Sequence, residues 1–255
     1  MKAVFSGFET PVELQIASPV VWEIENKVLF SRVVRSLASE EGEYALEPYT
    51  LWTDEGKEIK PKGALLMISD LINLPWDNRL LLGETTARLE RLVSENEETR
   101  LAIEGLANLL SSNISAAALQ FGADYAFRES WNMKRFLKAF GFGYDIDSHQ
   151  SLIDNLICFI DAAEDAGLKK PLVFINIRSF LNEIDQKTLF KRLFFSQLAV
   201  LFLESSLSEY LLSGERKITI DQDYLEALVS SGSEMPIPLQ KGFCPKVLEQ
   251  WHSDW

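Results

Sequence analysis

Residues 171–205, PLVFINIRSFLNEIDQKTLFKRLFFSQLAVLFLES, decide the fold. Two uncharged runs rich in β-branched and aromatic residues, Leu172–Ile177 and Leu198–Leu203, have a Pro before the first and a Glu after the second. Continuous apolar runs without alternation read as strands buried on both faces of a parallel sheet. Between them Leu189, Phe190, Leu193 and Phe194 recur at helical spacing on one side, Lys187, Lys191 and Arg192 take the other, and Asn182 with Asp185 supplies an N-terminal cap. Strand, crossover helix and strand form a βαβ unit, which closes right-handed. The chain is therefore expected to be α/β, with this unit at its centre.

Working outward toward the N-terminus, Val12–Ile16 and Val20–Ile24 read as strands, and Asn26 caps a helix with Phe30, Val33, Val34 and Leu37 on one face. A phosphate-binding loop would sit at that strand-to-helix turn, and it needs glycines for close backbone approach. The turn reads Glu23-Ile24-Glu25-Asn26-Lys27-Val28, with no glycine and two carboxylates to repel a phosphate, so no nucleotide is expected. Tyr49–Thr53 and Leu65–Ile68 read as strands joined by a turn over 54–63 that carries Lys57, Lys60 and Lys62 at an exposed hairpin tip. From 77 to 166 the composition turns to Leu, Ala, Glu, Arg and Ser. This stretch reads as a helical module inserted between the halves of the sheet. Its third helix, about 130–140, carries Lys134, Arg135 and Lys138, and its fourth spans 147–166.

On the C-terminal side Lys217–Ile220 is a further strand and Asp221–Val229 a short helix. The expected organisation is an α/β head over 1–76 and 167–230, an inserted α-helical leg over 77–166, and a C-terminal extension over 231–255.

The chain has 255 residues, enough for one large domain or two modest ones, and 47% hydrophobic content supports a sizeable core. Thirty-eight acidic against 25 basic residues give a net charge of −13, which opposes indiscriminate binding to nucleic acid or anionic membrane. A polyanion can still dock where lysines gather on one surface. Cys158 and Cys244 lie far apart without metal-ligand spacing, which argues against a disulfide framework or zinc site. The N-terminus lacks the apolar run of a signal peptide, and no apolar run approaches the ~20 residues that cross a bilayer, so a soluble cytoplasmic protein is expected. With only His149 and His252, histidine-dependent chemistry has little material, and no GxSxG, HExxH or EF-hand pattern occurs. Acids at element ends, among them Asp70, Asp124, Glu129, Asp145, Asp147, Glu204 and Asp221, could hold a hard cation such as Ca²⁺. Nothing in the sequence demands an enzyme.

The order and spacing of LVFINIRSFL (172–181), LAVLFLES (198–205), PVEL (11–14), VVWEIENKVLFSRVV (20–34), LLMISDLINL (65–74) and MKRFLKAFGFGYDID (133–147) resemble the Csn-type accessory proteins of type II-A CRISPR systems, which take part in spacer acquisition. The resemblance covers most of the chain to about residue 225. It implies a head related to P-loop ATPases but lacking the phosphate-binding loop, with a helical leg inserted. It further implies a homotetrameric ring whose lysine-lined hole encircles double-stranded DNA, loads at free ends and works with the CRISPR integrase complex and effector nuclease. Such a ring reconciles an acidic exterior with phosphate contacts in a basic bore. Of the candidate DNA-binding residues, Lys57, Lys60 and Lys62 lie in a loop matching a lysine-bearing stretch of the family. Lys134, Arg135, Lys138, Lys187, Lys191 and Arg192 are added from charge clustering. The resemblance also implies calcium held by carboxylates near the leg–head hinge. The matching stretch here, GADYAFRES (122–130), supplies Asp124 and Glu129, and Asp145 falls where a further acid is expected. A calcium-independent ring held by apolar contacts is the alternative.

Three functions are thus in view. The first is a non-enzymatic ring on duplex DNA ends. The second, a divergent nucleotide kinase or ATPase, is opposed by the missing glycine loop. The third, a protein-only scaffold of the adaptation complex, suits the acidic charge if the lysines are scattered.

Overall fold

A computed structural model describes residues 1–144, 151–208, 210–212 and 214–230. The chain divides into two compact units, Met1–Pro75 with Asp147–Trp255, and Trp76–Ile146. In chain order the first unit contains β1 (Lys2–Phe5), β2 (Val12–Glu13), β3 (Val20–Ile24), α1 (Lys27–Ser39), β4 (Tyr49–Trp52), β5 (Glu58–Ile59) and β6 (Leu66–Ile68). The second holds α2 (Arg79–Glu95), α3 (Glu97–Ala118) and α4 (Met133–Ala139). The first unit then resumes with α5 (Leu152–Asp165), β7 (Leu172–Ile175), α6 (Glu183–Phe194), β8 (Val200–Glu204), β9 (Arg216–Ile220) and β10 (Glu226–Ser230).

The main sheet runs β10-β9-β3-β8-β7-β6 and is parallel except for β10. The β7-α6-β8 unit is present, with Leu172 opposite Val200. Its neighbour β3 takes an inner position, Val20 pairing with Leu201 on one side and Arg216 on the other. A smaller antiparallel sheet runs β2-β1-β4-β5.

Alternation along the inner strands gives the main sheet two different faces. On one, Trp22, Ile24, Leu201, Leu203 and Ile218 join Leu29, Val33 and Leu37 of α1 and Phe5, Tyr49 and Leu51 of the small sheet in a single buried cluster. The Phe5 ring lies 4.9 Å from that of Trp22 and 5.3 Å from that of Tyr49. On the other, Phe174 and Phe202 stack with centroids 5.6 Å apart, and Phe190 of α6 lies 5.0 Å from Phe202. Both expected caps form: Asn26 Oδ1 accepts from Val28 N and Leu29 N at 3.1 Å, and Asn182 Oδ1 accepts from Asp185 N at 2.9 Å.

Several expectations need correction. The segment 221–230 is not a helix but a turn followed by β10, which pairs antiparallel with β9. Asp221 Oδ1 accepts from Asp223 N and Leu225 N, and Tyr224 has φ 63°, so the chain reverses instead of winding on. The strands flanking residues 54–63 do not form a hairpin with each other. β4 pairs with β5 in the small sheet, whereas β6 joins the main sheet, so Lys57 sits at a hairpin turn and Lys60 and Lys62 on the segment passing between sheets. That tight turn places Gly56 at φ 78°, a region glycine enters without strain. α5, taken from composition as part of the helical module, falls in the first unit and packs on α6.

In the second unit α2 packs against α3 and α4, with Leu81 and Ala107 buried. Asn96 ends α2 and caps α3 through Thr99 N. Among the described residues no helix is long and apolar enough to cross a membrane.

Candidate nucleic-acid interface

The face of the main sheet opposite α1 carries a buried charge cluster toward the carboxyl end of β3 and β8. Glu23 and Glu204 are paired residues of these adjacent strands, and both are buried. Arg178, just beyond β7, reaches across: Nη1 donates to Glu23 Oε1 at 2.7 Å and Nη2 to Glu215 Oε1 at 2.7 Å. Its guanidinium lies between the rings of Phe190 and Tyr210, at 5.7 and 5.9 Å. Lys217 of β9 sits 3.4 Å from Glu23 and donates to Ser208 Oγ and Tyr210 O. Ser208 N and Oγ donate to Glu23, and Tyr210 Oη to Gln186 of α6, so the segment after β8 closes over the cluster.

The cluster holds three carboxylates against two cations. Burial pushes the Glu204 carboxyl up to about 7, only partly opposed by the Arg178 backbone N–H that it accepts and by the Arg178 guanidinium, while Glu23 adds to the rise. One proton on Glu204 makes the group neutral. Apart from Arg178 Nε, which has no partner among the described residues, the charges are answered within the cluster. It therefore acts as a lock between strand ends, α6 and the closing segment. Sequence reading placed Glu204 at a strand end and Glu23 in the turn; Glu23 instead points into the sheet face. Arg178 and Glu215 went unremarked and Lys217 was read only as the start of a strand, because residues inside or beside apolar strands give no signal of which charge they will meet.

The exposed cations differ in how far they are already engaged. Lys57, Lys60 and Lys62 are all exposed and make no side-chain ion pair or hydrogen bond among the described residues. Lys134 and Lys138 project from α4 and are likewise open. Arg135 is taken up by Glu129, and Lys187 by Glu183 one turn earlier on α6. Lys191 is half-buried, and Arg192 is held by Asp161 and Glu164 of α5.

In the second unit the same face of α3 exposes Leu106, Leu109, Leu110 and Ile114, from 68% down to 48%. A shallow groove of about 430 Å³ runs beside it, lined by Leu110, Ile114, Phe127 and Trp131. Exposed apolar side chains at this helical spacing mark an interaction surface.

The family model for CRISPR-associated protein (Cas_Csn2) matches residues 45–224. The chain belongs to the Csn2 family. It is 23% identical over 204 residues to CRISPR-associated protein Csn2 of Enterococcus faecalis, an alignment that spans 80% of this chain and 90% of that protein. Membership makes this a CRISPR-associated protein with a role in defence. The matched span of this Csn2-family chain contains the lysine loop, α3 and α4, and the whole buried cluster except Glu23.

Calcium, implied by the family resemblance, was tested against the residues of this Csn2-family chain. Among the described residues no group of three or more His, Cys, Asp or Glu side chains is arranged to hold a metal ion. Glu129 is already neutralised by Arg135, and Asp124 is exposed. Asp145, the third expected ligand, lies outside the described residues, as do Asp147, His149, Cys244, His252 and the extension over 231–255. Asp124 and Glu129 alone do not supply the six to eight oxygens calcium takes.

Proposed function

We propose that this Csn2-family protein is a non-enzymatic, ring-forming binder of double-stranded DNA ends that assists spacer acquisition in type II-A CRISPR immunity. Its partners in that reading are a second to fourth copy of itself, the CRISPR integrase complex and the effector nuclease, all in the cytoplasm. The observation that carries the reading is the set of uncommitted lysines, Lys57, Lys60 and Lys62, on a surface loop of a chain with net charge −13. Like charges left unpaired and close together are offset when a polyanion meets them, and phosphate contacts of that kind are indifferent to sequence. The apolar stripe of α3 supports self-association. A P-loop-ATPase-like head without its phosphate loop fits the central β3 followed directly by α1: the turn between them is closed by the Asn26 cap, and Lys27 Nζ, where a phosphate would lie, donates to Ser205 O.

The test compares linear with covalently closed duplex of equal length in a gel shift, with calcium and with chelator. Preference for the linear form is the expected result, since a closed ring threads only onto ends. Equal binding to both forms replaces the ring with an open groove, and loss of binding on chelation restores a calcium site that uses residues beyond those described. Absence of binding to either form at low salt removes the DNA function and leaves the protein-only scaffold.

A further inference from the structure

The lysine loop has a neighbour that sequence spacing did not reveal. β6 pairs in parallel with β7, Leu66 opposite Leu172, and Leu66 N donates to Pro171 O at 2.9 Å. The amino ends of the two strands are therefore side by side, and so are the segments leading into them: Lys60-Pro61-Lys62-Gly63 before β6, and Lys169-Lys170-Pro171 before β7. The approach is close. A methyl group built on Gly63 would lie 3.6 Å from Lys170 Nζ. Lys169 is exposed and Lys170 half-buried, and neither makes an ion pair or side-chain hydrogen bond among the described residues.

Four lysines about a hundred residues apart in sequence thus share one edge of the first unit. The segment Glu41-Gly42-Glu43 lies alongside Pro61, so acidic residues border the lysines on that side. Ammonium groups gathered at one sheet edge act as mobile point charges and suit the regularly spaced phosphates of a duplex, which they contact without reading bases.

We propose that Lys169 and Lys170 extend the lysine loop into one phosphate-contacting strip for duplex DNA. The proposal rests on the DNA-binding reading above and assigns it residues from a second segment. Lys170 works beside Lys62 at the junction of β6 and β7, and Lys169 lengthens the strip toward the end of α5.

The experiment measures duplex affinity of the full chain by fluorescence anisotropy over a salt series. It compares the parent with Lys169→Gln/Lys170→Gln, with Lys57→Gln/Lys60→Gln/Lys62→Gln, and with Lys187→Gln as a paired-lysine control. The double variant is expected to lose about tenfold or more in affinity and to flatten the plot of log K against log salt by roughly 2, one for each phosphate contact removed. Thermal unfolding of the variant should match the parent, since these side chains hold nothing in place. A double variant with parental affinity and slope, while the triple variant is weakened, overturns the strip and leaves the DNA function standing. A parent that fails to bind duplex overturns both together. As a second readout, duplex should protect Lys169 and Lys170 from acetylation to the same degree as Lys62; protection of Lys62 alone counts against the proposal.

Discussion

Glu204 is the residue whose environment most directly predicts a measurable behaviour. Its carboxyl ordinarily titrates near 4.5, and burial in the cluster raises this to about 7. Between these values the folded protein carries a proton there that the unfolded chain has released, so stability is greatest below about 4.5 and falls as pH rises toward 7. Taken alone, the shift corresponds to at most roughly 3 kcal/mol across that window. Denaturant titrations from pH 5 to 8 should show this decline, and Glu204→Gln, which keeps the neutral shape, should flatten it. A variant that retains the parental slope would show that the proton resides elsewhere in the cluster. Sequence could locate Glu204 as the polar end of an apolar run. It could not supply Arg178, Glu23, Glu215 and Lys217 around it, since those partners come from three other strands or their flanks and meet only once the sheet is assembled.

At the level of elements, the sequence was legible wherever one periodicity dominated. β3, β7, β8, α1 and α6 follow from their apolar patterns, and Asn26 and Asn182 mark helix starts because short polar side chains compete for the first free N–H groups. It failed at 221–230, where DQDYLEALVS carries a helix-compatible pattern. There the unpaired edge of β9 offered backbone hydrogen bonds that the local preference did not outweigh. β1 was missed for a related reason: four residues beside the N-terminus gain most of their strand pairing from Tyr49–Trp52, nearly fifty residues away, and the rest from the two-residue β2. α3 shows the opposite case, a segment whose helical character is legible but whose apolar stripe, Leu106, Leu109, Leu110 and Ile114, is left uncovered. Leu106→Glu together with Leu110→Glu should lower the assembly state seen by sedimentation velocity while leaving helix content and melting temperature unchanged, because both side chains are already exposed. A variant with the parental sedimentation profile would exclude this face from self-association.

At the scale of the whole molecule, charge distribution matters more than charge total. A net −13 repels a polyanion at long range, yet repulsion from a dispersed acidic surface is screened within about a Debye length, some 10 Å at 0.1 M salt, whereas lysines in direct phosphate contact release counterions. With four such contacts, duplex affinity should fall on the order of a hundredfold between 50 and 200 mM salt. A salt-independent affinity would point to apolar or base-mediated contacts instead. Charge clustering alone could not separate the engaged cations from the open ones: Lys187, Arg135 and Arg192, added on that ground, are held by carboxylates that only the folded chain brings to them.

The position of β3 also governs how the protein can be made. β3 leaves the ribosome long before its two partner strands, β8 and β9, which start 180 and 196 residues later. At ordinary translation speeds of ~5–20 residues per second, VVWEI waits on the order of 10–40 s with both edges bare. Nascent-chain truncations ending before residue 200 should therefore leave this strand open to chaperones and to pairing with other unfinished chains, and the head should become protease-resistant only in a late step, when the C-terminal strands arrive on either side of it.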